Sequence, residues 1–252
     1  MKIQYVSDLH LEFNENAKYL KEHPLVPAGD ILILAGDIVP FAVMDKFKDF
    51  FDYCSDNFVA TYWIPGNHEY YYFDIATKSG TLNENIKSNV HLANNISFIH
   101  NDINLIFSTL WSKIQLINQW QIEQNLSDFH VIKHHQNRFT AAHYNQLHDE
   151  SLSFITNELQ NNKQAKNIVV SHHVPTYLNY PEQYKGDVLN EAFAVELYDM
   201  IEANGPDYWI YGHSHHNTYD FKIGSTSLIT NQLGYVQRNE NKHFNPKLYF
   251  NI

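Results

Sequence analysis

Cysteine is nearly missing from this chain of 252 residues: Cys54 stands alone. No internal disulfide framework can form, and a reducing compartment is the expected setting. Cys54 itself sits at a helical apolar position and reads as a small buried hydrophobe. Long apolar runs are missing too, none approaching the roughly 20 residues a membrane helix needs. The segment Met1-Lys2-Ile3-Gln4-Tyr5-Val6 enters a β-rich run and lacks the pattern of a cleavable leader. The expectation is a soluble, cytoplasmic protein with no membrane partner. Positive charge is scarce, with 17 Lys and Arg against 28 Asp and Glu, a formal net charge of −11. Proteins that clamp a nucleic-acid backbone show a basic stripe, and no block of Lys or Arg occurs here. Internal repeats, low-complexity tracts and linkers are also lacking.

What is present suits a compact globule: a 44% hydrophobic and 15% aromatic composition, enough for one large core. Ile3–Ser7 reads as a strand. Ile31–Ala35 is a continuous apolar run, as in a strand buried on both faces. Between Phe41 and Phe58 the apolar spacing is helical, and Val59–Ile64 is a strand stopped by Pro65-Gly66, so a parallel pair joined by a crossover helix is expected. Residues 96–99 and 104–108 read as neighbouring strands, 140–160 as a helix, and Ile168–Val170 as a strand. An amphipathic helix is expected over 187–203, closed by Asn204-Gly205-Pro206. Strands follow at 208–211, 219–223, 227–230 and 247–251. The expected product is a single α/β domain over 1–252, a four-layer β-sandwich flanked by helices on both sides. Residues 111–138, polar and least patterned, read as an insertion or lid.

Five short clusters end these apolar runs: Asp8-Leu9-His10, Gly36-Asp37, Gly66-Asn67-His68-Glu69, His172-His173 and Gly212-His213-Ser214-His215-His216. Imidazoles, carboxylates and one amide are the donors a two-cation site needs. Two cations about 3.5–4 Å apart can hold a hydroxide and stabilise charge in an in-line displacement at phosphorus. The mixture of imidazole and hard oxygen suits Mn and Fe foremost, with Zn, Ni, Co or Mg as alternatives; without thiolates it does not suit a structural zinc site. Asp8 and His10 would share one face if the strand persists, and His213 with His215 repeats that spacing. Gly36, Gly66 and Gly212 each precede a donor, where the backbone must turn sharply.

The order of these motifs resembles the calcineurin-like metallophosphoesterase superfamily, over residues 8–215 and with all five blocks intact. The resemblance implies that Asp8, His10 and His215 hold a first metal ion, that Asp37 bridges, and that Asn67, His172 and His213 hold a second. It implies that His68 contacts substrate and protonates the leaving group. The activity implied is metal-dependent hydrolysis of a small phosphomonoester or phosphodiester. There are departures. The protein Ser/Thr phosphatase branch carries arginines after the bridging aspartate and before the Asn-His pair, where this chain has Ile38-Val39-Pro40 and Ile64-Pro65-Gly66. The lipid A precursor hydrolases have Arg where His68 stands. The DNA-repair nucleases share Asn-His but need a basic surface. A non-catalytic metal-binding scaffold on the same fold and a nucleic-acid phosphodiesterase are the alternative readings; intact donor positions disfavour the first and the acidic balance the second.

Several residues carry two readings. His173 and His216 stand outside the donor set. Glu69 either accepts a bond from the site or caps a helix. His130, His134, His135 and His143 lack a matching carboxylate pattern and read as solvated loop histidines. Among Tyr70, Tyr71, Tyr72, Tyr177, Tyr180 and Tyr184, more than half are expected to pack, the rest to stack on a planar leaving group. Lys185 and Arg138 are candidate phosphate contacts by position, and Trp111 either lines the site or packs.

Overall fold

The computed structural model describes residues 1–163 and 165–252. Two six-stranded sheets stack face to face. The first contains β1 (Lys2–Val6), β2 (Ile31–Ala35), β3 (Ala60–Ile64), β4 (Leu82–Lys87), β5 (Val90–Asn94) and β14 (Tyr249–Asn251), in the order β14-β1-β2-β3-β5-β4. The second contains β6 (Ile96–His100), β7 (Ile103–Phe107), β10 (Lys166–Val170), β11 (Tyr208–Tyr211), β12 (Phe221–Ile223) and β13 (Thr226–Thr230), in the order β12-β13-β11-β10-β7-β6. In each sheet the four inner strands are parallel and both edges antiparallel.

Alternation along the strands builds the layers. Ile31, Ile33 and Ala35 face the second sheet, where Leu105, Phe107, Ile168, Val170 and Ile210 meet them. Leu32 and Leu34 point outward, into a cluster with Phe51 and Cys54 of α2 (Lys48–Asn57). Val169 and Trp209 point outward from the second sheet, onto Ile155 and Leu159 of α5 (Ala141–Asn161) and Ile201 of α6 (Tyr198–Asn204). A strand buried on both faces has no polar side to show, which is why Ile31–Ala35 reads as an unbroken apolar run. The four-layer α/β architecture is the expected one.

Tertiary pairing overrides local pattern in several places. Residues 187–203 do not form one helix. A 3₁₀ turn at Val188–Ala192 precedes α6, because the chain between them pairs with Val174: Val174 N–H donates to Phe193 O and Val195 N–H to Val174 O. The helix expected from Phe41 is a 3₁₀ turn at Met44–Phe47 running into α2. The β4–β5 hairpin and α1 (Asn14–Glu22) are not among the expected elements, the latter fully burying only Asn16 and packing Tyr19 and Leu20 part-buried on the core. Residues 111–138 are more ordered than their polarity suggests. They hold α3 (Gln119–Asn125) and α4 (Asp128–Val131), whose Ile122 and Phe129 join the core. The hairpin of β8 (Lys133–His134) with β9 (Asn137–Arg138) closes the segment.

Candidate metal centre

Six of the seven donor residues converge at the ends of the parallel strands, on the loops after β1, β2, β10 and β11, and Asn67, after β3, lines the same cleft. In open parallel sheets this carboxyl edge is where ligands sit. The route by which they meet differs from the expected one. β1 ends at Val6, so Asp8 and His10 do not share a strand face; both stand in left-handed backbone, at φ 56° and 45°. Asp37, His213 and His215 are left-handed too, at φ 55°, 72° and 49°. Such backbone is strained for residues with a side chain and persists where the surroundings over-determine it, typically at functional sites. Of the three glycines, only Gly36 supplies a positive φ, +88°. Gly66 and Gly212 are there for close approach: a Cβ on Gly66 would lie 2.2 Å from Asp37 Oδ1, and one on Gly212 2.8 Å from Asp8 Oδ2.

The imidazoles are held by their outer nitrogens. His172 Nδ1 donates to Ala35 O (2.9 Å), His215 Nδ1 to Glu240 Oε2 (2.7 Å), His10 Nδ1 to Glu12 Oε1 (3.2 Å) and His213 Nε2 to Ala192 O (3.3 Å). Anchoring one nitrogen to a carboxylate or carbonyl leaves a lone pair on the other, the usual arrangement of metal-binding histidines. The free nitrogens converge: His10 Nε2 lies 3.0 Å from His215 Nε2, and His172 Nε2 3.0 Å from His213 Nδ1. Two lone pairs at that distance repel unless a cation or a proton sits between them. Asp37 spans the two pairs, with Oδ2 3.7 Å from His10 Nε2 and Oδ1 3.4 Å from His172 Nε2. Asp8 Oδ1 lies 3.4 Å from His215 Nε2. Asn67 donates from Nδ2 to Asp128 Oδ1 (2.9 Å), while its buried Oδ1 has no hydrogen-bond partner. The residues therefore fall into two groups sharing Asp37, and this donor set fits two divalent cations.

Electrostatics shows the same need for positive charge. Burial opposes ionisation of Asp37, yet the charges of His172 and His68 hold it well below the usual carboxylate range. Asp8, against the same burial, is lowered by its bond to His215. In return, and despite burial, Asp37 draws His172 up to about 9, while Asp8 and Glu240 draw His215 up to about 10. Burial and neighbouring imidazoles push His10 and His213 down. Without cations, protons would occupy part of the site.

Behind this floor, buried Glu69 accepts from the N–H groups of Asp37 (2.9 Å), Ile38 (2.7 Å) and Gly66 (2.6 Å) and from Trp63 Nε1 (3.0 Å). It caps no helix; it ties the turn bearing Asp37 to the turn bearing Asn67. Burial and Asp37 push its pKa up to about 8, against the pull of those N–H dipoles. His68 donates from Nδ1 to Glu12 Oε1 (3.1 Å), stacks on Tyr71 at 4.0 Å, and has Nε2 3.3 Å from Tyr235 Oη. Glu12 thus accepts from both His10 and His68, a pairing that needs no third cation.

A family description, calcineurin-like phosphoesterase, matches residues 1–217. The chain belongs to this family. The uncharacterized protein L509 of Acanthamoeba polyphaga mimivirus is 34% identical over 282 residues, which covers 99% of this chain and 96% of that one. Among solved structures, the phosphopantetheinyl hydrolase PptH of Mycobacterium tuberculosis shares the fold at a TM-score of 0.69 and 13% identity, covering 96% of this chain and 92% of the other. A dimetal phosphatase from Danio rerio (LOC 393393) does so at a TM-score of 0.52 and 15% identity, covering 92% and 87%.

Over the donors of this calcineurin-like phosphoesterase lies a cleft of about 330 Å³ with three walls. Leu126, Ser127 and Asp128 form one, Tyr180, Tyr184, Leu189 and Phe193 the second, and Tyr235, Arg238 and Glu240 the third. Of the six candidate tyrosines, Tyr71, Tyr180 and Tyr184 line the cleft; Tyr70 and Tyr177 pack inside, and Tyr72 is exposed on the surface. Lys185 and Arg138 do not line it, pairing instead with Glu182 and Glu123. Trp111 and His173 are buried against each other at 5.2 Å, behind the donors. His130, His134 and His143 are not on loops but in α4, β8 and α5; His134 stacks on His143 at 3.9 Å, and no candidate metal group among the described residues includes these three or His135. Sequence reasoning missed Glu12, Asp128, Tyr235, Arg238 and Glu240. Glu12 could have been found from its place two residues after His10; the last three lie beyond the matched residues.

Proposed function

We propose that this protein is a dinuclear metallohydrolase of small phosphate esters, acting in the cytoplasm. The observation that carries the reading is the pair of facing lone-pair nitrogens on either side of Asp37, with the unpartnered Asn67 Oδ1 beside them. Asp8, His10, His215 and Asp37 would hold one cation, and Asp37, Asn67, His172 and His213 the other. When bound, two divalent cations supply an activated hydroxide and the positive charge that stabilises in-line displacement at phosphorus. Manganese and iron suit these donors first.

The chain's own residues do the rest. His68 stands at the cleft wall with Nδ1 committed to Glu12, which leaves Nε2 to give a proton to the departing oxygen. Burial opposes a charge on His68, but Asp37 and Glu12 raise its pKa, so it holds that proton more firmly than a free imidazole. Asp128, from the 111–138 insertion, keeps the Asn67 amide turned with its oxygen free. The free, buried Cys54 agrees with a reducing location.

The test is hydrolysis of an aryl phosphomonoester and the matching diester by metal-stripped protein, with Mn, Fe, Ni, Zn or Mg restored singly. Metal-dependent turnover of either ester is expected. Two bound ions per chain with no turnover of either would count against catalysis, and no bound ion would remove the reading altogether.

A further inference from the structure

The third wall of the cleft holds a charge that the reaction does not use. Arg238 is the one Lys or Arg among the lining residues, set amid Asp37, Asp128, Asp187 and Glu240 in a chain of net charge −11. Its guanidinium lies 5.1 Å above the Tyr235 ring, and its side chain makes no ion pair or hydrogen bond among the described residues. Glu240 feels the guanidinium's charge without bonding to it, and its Oε2 accepts from His215 Nδ1 (2.7 Å) and from Tyr235 N–H (2.7 Å). Five N–H donors in a fixed fork are thus left facing the cleft, the geometry that binds a phosphate or carboxylate bidentately.

Position decides which anion this is. The Tyr235 ring neighbours both, its centroid 5.1 Å from the guanidinium, 4.4 Å from the His215 ring and 4.8 Å from that of His10. Arg238 stands on the rim beside that ring and not among the donors, so an anion held there is read as a second group, apart from the phosphoryl group at the floor. Tyr180, Tyr184, Leu189 and Phe193 line another wall, which suits an apolar or planar body joining the two charged ends. We infer that Arg238 is a specificity-determining residue, and that the substrate is a phosphate ester whose leaving group carries a second anionic group on an apolar or planar spacer. This rests on the phosphoesterase reading above.

Three esters with one leaving-group skeleton test it: phenyl phosphate, 4-carboxyphenyl phosphate and 1,4-phenylene bisphosphate, with phosphate release by the metal-loaded full chain as readout. A bidentate charge-assisted contact predicts a kcat/KM about 10-fold higher or more for the two esters with a second anion, expressed in KM. Arg238→Gln should remove that preference, lowering kcat/KM for the two esters with a second anion far more than for phenyl phosphate, and Arg238→Lys should keep part of it. Raising the ionic strength should erode the preference in the native chain and not in Arg238→Gln. Equal kcat/KM for all three esters in the native chain, or equal loss on all three in Arg238→Gln, would overturn the inference and leave the phosphoesterase reading standing. Hydrolysis of none of them by a chain holding two cations would overturn both.

Discussion

The floor of the site and its rim are built by different means. Every donor on the floor follows a parallel strand buried on both faces, and its backbone is locked in place, left-handed at Asp8, His10, Asp37, His213 and His215. The rim comes from three segments without such support: the insertion at Leu126–Asp128, the 3₁₀ turns around Tyr184 and Leu189, and the loop from Tyr235 to Glu240. A strand end fixes a donor to within tenths of an ångström, which ligation demands. A loop can change its length and side chains without disturbing the sheet, which lets one floor serve many substrates. The donors thus stand on loops at the ends of the inner strands and the rim on segments further from them, and the two can be perturbed separately.

The largest effect should come from the floor's shared donor. Asp37→Ala removes the carboxylate between the two groups, and turnover should fall by about 10³-fold or more, on the scale of losing a preorganised charge stabiliser. Cation content by elemental analysis should fall with it while circular dichroism is unchanged. Wild-type turnover would refute the site. His68→Ala should keep its cations and lose about 10²–10⁴-fold in kcat, as expected for a proton donor. Loss of bound metal would instead make His68 a ligand.

The floor should also show itself in the pH dependence of cation binding. His172 and His215, at about 9 and about 10 in the free protein, are protonated at neutral pH on nitrogens whose lone pairs a cation needs. Binding must expel those protons, so affinity should rise with pH, by up to about 10-fold per unit for each proton displaced, and level off above about pH 10. Calorimetry at pH 7 in buffers of different ionisation heat counts the protons directly. A heat independent of buffer would show that the lone pairs are already free.

The same division explains what the sequence disclosed. The five donor blocks were legible because each ends an apolar run of strand length bounded by turn residues, and Asp37 or His172 can be placed from that. Their backbone was not: the i, i+2 spacing of Asp8 and His10 suggested a shared strand face, whereas the strand stops at Val6 and φ turns positive. Arg238 and Asp128 left no mark, because a residue on a short turn of helix that reaches a cleft across the fold obeys no local period. Residues 187–203 misled for a related reason. The pairing of Val174 with Ala194 is a long-range contact that outweighs helical spacing.

Asp128 is where rim meets floor. Its Oδ1 accepts from Asn67 Nδ2 (2.9 Å) and from Tyr71 Oη (2.8 Å). Asp128→Ala should free the Asn67 amide to rotate and weaken the second cation by about 10–100-fold, the usual cost of losing a residue that orients a ligand. Titration with Mn should then show one tight and one weakened site. Two unchanged sites would confine Asp128 to the rim.

The smallest effects should separate three neighbours that look alike in sequence. Tyr70 is buried in the core, Tyr71 lines the cleft against His68, and Tyr72 is 78% exposed with φ at 58°. Tyr71→Phe loses only the hydroxyl that Asp128 accepts, so kcat should drop by less than about 10-fold, the worth of one hydrogen bond. Tyr72→Asn should leave kcat and KM unchanged. It should raise stability by up to about 1 kcal/mol, because Asn tolerates left-handed backbone better than an aromatic residue and the exposed ring covers little of the core. A loss of turnover in Tyr72→Asn would mean that the rim reaches further than the cleft, with the surface beyond Tyr71 touching substrate as well.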